Sequence, residues 1–294
     1  MEYSEVQKIT IESNYRDNAS LRKSLNKLAG KVFGGLNFED WYQNGFWKDN
    51  YIPYSVVDDG KVVANISVNT CDMNYDGRIV KLIQLGTVMT DPDYRGRGYA
   101  RMLMEKIIED YENKVDGIYL FANDSVVDFY PKFGFRKSSE FQYSKGVKID
   151  LDWTAQLVPM AEKRDWDKMV QVLNENEQNA KMYMVSNAGL YMFYLSQFMQ
   201  ENTFYIADCD TYAIAEIEGD TLILHAVTGS GELDRVIASF GKGIKKVILA
   251  FTPNDSTGYD KSVVIEEDTH LFVRGKFFDN TNEDEFMFQA ITHA

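Results

Sequence analysis

The stretch DYRGRGYARMLMEKI, residues 93–107, sets two glycines and two arginines at the mouth of a segment with helical spacing. A helix N-terminus leaves about four backbone N–H groups without partners and carries partial positive charge. Glycine lets such a backbone approach a ligand closely and adopt left-handed conformations. Arg95 and Arg97 add charge. A strand, then RGRGYA, then a helix therefore reads as a pyrophosphate cradle, with an ordinary surface turn as the plainer alternative. No Lys-Ser/Thr pair follows the glycines, which argues against a nucleotide triphosphatase. No early Gly-x-Gly-x-x-Gly with an acidic ribose partner is present, which argues against a dinucleotide-binding fold.

Other side chains nearby invite a chemical reading. Tyr130, in DFYPKFGF, offers a phenolic proton to a leaving group, or it is a packed aromatic; Phe129, Phe133 and Phe135 around it read as core. Asn123 ends a strand and is a turn residue on spacing alone. Cys71 and Cys209 lie far apart without a CxxC pattern and read as free buried thiols in a reducing compartment. Three histidines and two cysteines, scattered, argue against a metal site.

The turn, the strand LGTVMTDPDY before it and LFANDSVVDFYPKFGF after the helix together resemble the GNAT family of acetyl-CoA-dependent N-acetyltransferases. Their Arg/Gln-x-x-Gly-x-Gly/Ala element is matched by Arg95, Gly98 and Ala100. The likeness is specific over residues 51–137, looser over 1–50 and weak over 151–294. The first half is also similar to the N-terminal domain of Eis-type acetyltransferases, in which a degenerate second GNAT domain and a third domain follow. The resemblance implies an α/β (α+β) fold of two GNAT-like domains, each a mixed, mostly antiparallel twisted sheet flanked by helices. Residues 1–148 would be the catalytic domain and 149–294 the degenerate, non-catalytic one.

The resemblance also implies a mechanism with acetyl-CoA as cosubstrate and no metal. Thr87, Val88 and Met89 would run along the pantetheine arm. Arg95 and Gly96, with the N–H groups of Arg97, Gly98, Tyr99 and Ala100, would take the pyrophosphate, and Asn123 would touch the cofactor. KLIQLGTVM and GIYLFAN would splay apart to admit the thioester. An N–H near Val88 would polarise its carbonyl, and Tyr130 would protonate the thiolate. The family's usual glutamate base has no counterpart: Gln84 falls near its position, and an amide accepts no proton at neutral pH. A relayed water, a carboxylate such as Asp72, and the C-terminal carboxylate stay open.

The elements around these residues follow from pattern and length. At 294 residues the chain is long enough for two cores. Leu21, Leu25, Leu28 and Val32 recur at helical steps. YIPYSVVDDGKVVANISVNTCDM reads as two strands turned at Asp59-Gly60. RIVKLIQLGTVMT and GIYLFAND are further strands around a helix with Met102, Leu103, Ile107 and Ile108 on one face, and a short helix stops near Pro131. The second half repeats this order weakly: two helices, three short strands through 203–227, a helix at GELDRVIASFG, a strand at KKVILAF. LFANDS and AFTPNDS end corresponding strands, a hint of internal duplication. HLFVRGKFF and EDEFMFQAI look like a closing hairpin.

Charge narrows the partners. The net charge is −14, against nonspecific nucleic-acid binding. Residues 1–150 hold 20 basic against 22 acidic side chains, and residues 151–294 hold 11 against 23. No apolar run spans a membrane and the polar start lacks a signal-peptide core, so the expectation is a cytoplasmic protein, with homo-oligomerisation left open. An acidic half beside an anion-binding half, with Trp41, Tyr42, Phe46, Trp47 and Tyr51 as an acceptor wall, points to a small cationic amine: a polyamine, an aminoglycoside-like amine or a lysine side chain. The alternative is a non-catalytic acyl-CoA sensor or interaction module whose acidic half docks a partner.

Overall fold

A computed structural model describes residues 9–281 and 286–293. Residues 1–8 of the polar start lie outside that description, as do three residues of the segment expected as the last strand (283–285) and Ala294 with its carboxylate. The first half runs β1 (Ile9–Ser13), α1 (Ala19–Val32), α2 (Glu39–Gln43), β2 (Tyr51–Asp58), β3 (Lys61–Tyr75), β4 (Arg78–Thr90), α3 (Tyr99–Tyr111), β5 (Gly117–Ala122), β6 (Arg136–Lys137) and β7 (Phe141–Gly146). The second half runs β8 (Gln156–Leu157), α4 (Lys163–Glu175), β9 (Met182–Val185), α5 (Ala188–Gln197), β10 (Thr203–Ile206), β11 (Thr211–Glu218) and β12 (Thr221–Gly229). It continues with α6 (Leu233–Ala238), β13 (Lys246–Leu249), β14 (Asp260–Val263), β15 (His270–Arg274) and α7 (Lys276–Asn280).

Local chemistry explains the early elements. Asn18 caps α1, its side chain accepting from Ser20 N and Leu21 N, which satisfies two of the helix's orphan donors. At the β2–β3 turn, Asp59 and Gly60 both have positive φ, 48° and 72°, as a two-residue hairpin turn requires.

Two mostly antiparallel sheets result, flanked by helices, as the resemblance implied. One is ordered β1-β2-β3-β4-β5-β15-β6, with β9 added beside β3; the other is β14-β7-β13-β12-β11-β10-β8. Each contains one parallel pair joined through a helix: β4 with β5 across α3, and β12 with β13 across α6. Strands cross between the halves. β15, late in the chain, pairs antiparallel with β5 and β6, while β7, from the first half, pairs with β13 and β14. Each sheet is thus completed by a strand from the other half.

The halves also share a core. Trp41, Phe46, Trp47 and Tyr119 pack in one cluster with Tyr191, Leu195 and Phe288. Trp41 Nε1 donates to Gly189 O at 2.7 Å. Gly189 lies so close to the Phe46 carbonyl that a Cβ would sit 2.2 Å from its oxygen. A second cluster lies under α3, and a third fills the second half.

Several sequence expectations change here. Among the described residues the closing hairpin is not seen: HLFVR is β15, KFFDN is a helical turn, and residues 286–289 pack as buried, non-strand chain. The strand is spent on the first sheet, paired with β5 on one edge and β6 on the other. Met102 is 41% exposed rather than on the core face. The segment around Pro131 is two 3₁₀ turns, at 124–126 and 130–133, because proline removes the donor that an α-helix needs there. β1 and β9 are strands that the pattern did not reveal.

Candidate functional site

The site begins where the first sheet divides. β4 and β5 pair in parallel from Leu82–Gly117 to Leu85–Leu120 and no further. Beyond that point β4 continues beside β3 up to Thr90, and β5 continues beside β15 up to Ala122. The gap is a cleft of about 880 Å³. It is walled by Leu85 and Gly86, by Thr87, Val88 and Met89, by Phe121 and Asn123, by Phe129 and Tyr130, and by Val32 and Phe33 at the end of α1; Arg95 and Ala100 stand at its mouth.

A bulge shapes the β4 wall. Asn65 pairs with Met89 and Ser67 with Gly86, so Thr87 and Val88 together face Ile66. Thr87 takes φ +48°. For a β-branched residue that conformation is strained, by about 1–3 kcal/mol. Tyr51 OH lies 2.6 Å from Thr87 Oγ1, and Asn65 Nδ2 donates to Thr87 O at 3.0 Å.

The turn at the mouth is built for approach. Gly96 and Gly98 have φ +75° and +80°, and a Cβ on either would meet nothing within 4 Å. Gly98 is the N-cap of α3 and offers no side-chain cap. The backbone N–H groups of Arg97, Gly98, Tyr99 and Ala100 find no partner among the described residues. Arg95 is exposed without an ion pair among them, and the Arg97 guanidinium stacks 4.6 Å over the Tyr94 ring. Asp91 anchors the segment between β4 and the turn: it is buried and takes Lys31 at 2.7 Å and Lys61 at 2.9 Å. Those two ammonium groups hold its carboxyl well below the usual carboxylate range.

Tyr130 is 2% exposed, its ring among Phe129, Phe135 and Phe272. Burial pushes its phenol up to about 12, so it keeps its proton at neutral pH. It lines the cleft and makes no hydrogen bond to a described residue. Of the aromatics read as core, Phe135 is buried, while Phe129 and Phe133 are only partly so and Phe129 faces the cleft. Asn123 lies at the cleft edge, its Nδ2 donating to Asp268 Oδ2 at 3.0 Å.

Gln84 is 1% exposed on β4, its Oε1 buried without a partner. Asp72 is exposed and pairs with Lys81, toward the far end of β4 from the bulge and outside the cleft lining. The proposed aromatic acceptor wall is core instead. Trp41, Phe46, Trp47 and Tyr51 are each under 8% exposed; Trp41, Trp47 and Tyr51 pack edge-on or stacked against one another and Phe46 packs edge-on against Trp166, with only Tyr42 partly open. Large rings are worth most when buried, and both indole N–H groups find backbone carbonyls there.

Sequence reasoning missed Leu85, Gly86, Phe33 and Phe121 as walls, and Asn65 behind the bulge. One signal was available: Asn65, Ser67 and Asn69 alternate within an otherwise apolar strand and are all buried. Among the described residues there is no group of His, Cys, Asp and Glu that could hold a metal, and no helix long and apolar enough to cross a membrane. Cys71 and Cys209 are both free thiols, the first buried.

Comparison with known proteins agrees with this geometry. The family model described as an acetyltransferase (GNAT) domain matches residues 24–138. Over 54 residues the chain is 39% identical to GCN5-related N-acetyltransferase 2, chloroplastic, of Arabidopsis thaliana, covering 18% of this chain and 21% of that protein. The chain thus spans about a fifth of the length of the curated relatives it matches. A conserved protein from Enterococcus faecalis V583 shares the fold at TM-score 0.62 and 14% identity, covering 92% of this chain and 72% of that one. Eis1 from Mycobacterium abscessus shares it at TM-score 0.54 and 11% identity, covering 90% and 73%. Residues 24–138, which carry the divided sheet and the open glycine turn, are thus similar to the GNAT acetyltransferase domain, and the fold is shared along most of the chain.

Proposed function

We propose that the protein is an N-acetyltransferase that moves acetyl from acetyl-CoA to a primary amine by direct attack in a ternary complex. The observation that carries this reading is the cleft between the parting strands, with the unpartnered N-terminus of α3 at its mouth and the Tyr130 phenol in its wall. Thr87, Val88 and Met89 hold the pantetheine arm. Arg95, Gly96 and the N–H groups of Arg97, Gly98, Tyr99 and Ala100 hold the pyrophosphate. Asn123 contacts the arm at the strand end. Val88 N–H stabilises the developing oxyanion. The amine nitrogen bonds to the carbonyl carbon, the C–S bond breaks, and Tyr130 gives its proton to the sulfur. The nitrogen's surplus proton leaves to water. In this reading residues 1–148 carry the chemistry and residues 149–294 are a degenerate, non-catalytic copy.

The acceptor in this reading is a small cationic amine. A hollow of about 370 Å³ shares Phe33 with the cleft and is lined by residues of both halves, among them Leu36, Glu39, Asp40, Gln197 and Phe198. No lysine or arginine lines it. Glu39 is paired with Arg22 at 2.9 Å, Asp40 has no ion pair among the described residues, and Phe33 and Phe198 are 41% and 62% exposed. The Asp40 carboxylate and the open rings favour an ammonium with an apolar body. Buried Gln84 in place of a base favours a second reading, a non-catalytic acyl-CoA sensor. Thiol release from acetyl-CoA with a panel of amines separates the two. Turnover with cationic amines, falling as ionic strength rises, is expected. Binding of acetyl-CoA without thiol release above background leaves the sensor.

A further inference from the structure

The bulge at Thr87 is held from behind by a line of buried polar side chains that no part of the cleft requires for contact. Asn65 donates from Nδ2 to Thr87 O at 3.0 Å and to Ser67 Oγ at 2.9 Å. Its Oδ1 accepts from Ser55 Oγ at 2.8 Å. Ser55 spends its one proton on Asn65, so at the 2.6 Å contact with Tyr15 OH the tyrosine is the donor. The relay Tyr15–Ser55–Asn65–Thr87 O therefore runs from the loop after β1 across β2 and β3 to β4. Every side chain in it is buried: Tyr15 is 7% exposed, Ser55 0%, Asn65 1% and Ser67 0%. None lines the cleft.

Buried polar side chains cost stability unless they answer another polar group. The group answered here is specific. A bulge takes its extra residue out of the ladder, which leaves the Thr87 carbonyl to be satisfied by something other than a strand. Asn65 supplies that partner, and Tyr51 holds the Thr87 hydroxyl at 2.6 Å. Threonine does not keep φ +48° unaided.

We propose that Asn65 is a positioning residue: the relay ending in it locks Thr87 in its left-handed conformation and so sets the direction of the Val88 N–H in the cleft. This rests on the acetyl-transfer reading only for its catalytic consequence. Removal of the Asn65 amide frees the Thr87 carbonyl and lets the bulge relax, which misaims the N–H without disturbing the α3 turn that holds the pyrophosphate. The loss therefore falls on turnover rather than on cofactor affinity.

A double-mutant comparison tests this. Asn65→Ala should lower kcat about 10²-fold, with the calorimetric Kd for acetyl-CoA within about threefold of the unaltered chain. Glycine reaches φ +48° without the strain that threonine carries there. In the Thr87→Gly background the same Asn65→Ala change should therefore cost only about twofold to fivefold. Hydrogen exchange at Val88 should follow the same pattern: faster in Asn65→Ala, with no further change in the Thr87→Gly background. Tyr15→Phe, which keeps its ring, should reproduce the effect at about threefold, and it stands in should Asn65→Ala fail to fold. Unchanged kcat and exchange in Asn65→Ala, or an equal loss in both backgrounds, would overturn the proposal. If the unaltered chain releases no thiol with any amine, the acetyl-transfer reading falls and exchange at Val88 still decides the relay.

Discussion

The two halves contain the same strand–turn–helix–strand unit, β4–α3–β5 and β12–α6–β13, and they differ in whether the strands part to leave a cleft beside the turn. Both parallel pairs stop after four residue pairs. In the first unit the sheet then parts and stays open. In the second the chain closes its own split: Gly229 N donates to Glu177 O at 3.2 Å and Asn179 N to Val227 O at 2.8 Å, so residues 177–179 lie along the edge of β12. Ala250 N reaches Leu224 O at 2.8 Å. The turns differ in the same sense. A Cβ at Gly96 or Gly98 meets open space, whereas one at Gly231 would lie 2.5 Å from Thr211 Oγ1 and one at Gly229 would lie 2.6 Å from Asp210 O. Gly231 N is already bonded to Thr211 Oγ1 at 2.7 Å. α3 has 13 residues and α6 only 6. The hollow near α6 measures about 360 Å³ and is lined by Glu232, Asp234 and Asp255, with Lys145 paired to Asp234. Glycine spacing alone makes no cradle; the space above the glycines does.

The largest expected effect comes from breaking the proposed catalytic side of that comparison. Tyr130→Phe removes the proposed proton donor and keeps the ring, so kcat should fall by roughly 10²–10⁴ with little change in the acetyl-CoA Kd. Tyr259, the tyrosine after the matching Asn-Asp-Ser in the second half, lines the acidic hollow. Tyr259→Phe should leave kcat within about twofold. Steady-state kinetics on the two variants decide it; equal effects would mean the halves are not functionally distinct.

Next in size is one substitution made in both turns. Gly98→Val forces a β-branched residue to φ +80° at the helix N-cap and should weaken acetyl-CoA binding by about 10–100-fold while the fold survives. Gly231→Val drives its side chain into Thr211 and Cys209 and should cost roughly 1–3 kcal/mol of stability without changing cofactor affinity. Calorimetry with acetyl-CoA and denaturant melts read the two outcomes independently.

The smallest effect sharpens the comparison where the halves cross. Glu140, in the link from β6 to β7, is 9% exposed and accepts from Phe288 N at 2.7 Å. Burial pushes its carboxyl up to about 8. The unfolded chain releases this proton first, so the native state is favoured by Glu140 protonation at low pH and loses stability as pH rises toward and through 8. Glu140→Gln keeps an acceptor for Phe288 and cannot ionise. Its Tm advantage over the unaltered chain should therefore grow between pH 5 and pH 9, by up to a few kcal/mol in unfolding free energy. A pH-independent Tm difference would show that the carboxyl ionises freely in the fold.

Much of this was legible in the residues. The Asp59-Gly60 turn, the Leu21–Leu25–Leu28 face, the strand–helix–strand order and the glycine turn at 96–98 are determined by neighbours within a few positions, through backbone sterics and helical or strand period. Gly96 and Gly98 tolerate the positive φ that other residues avoid, so the sequence marks where a left-handed turn costs least. Other features depend on partners more than a hundred residues away. Nothing in HLFVR says whether it pairs with its own half or with β5, because a buried strand's apolar pattern suits either edge. Trp41 and Trp47 have the composition of an exposed binding wall and became core because α5 covers them. The second unit has the glycines of a cradle and lost it to residues 177–179 and 209–211, which occupy the space. Sequence settled the local conformations and the residue types available for chemistry. Only the tertiary structure decided which of two similar turns stays open, because that depends on which distant segment fills the volume beside it.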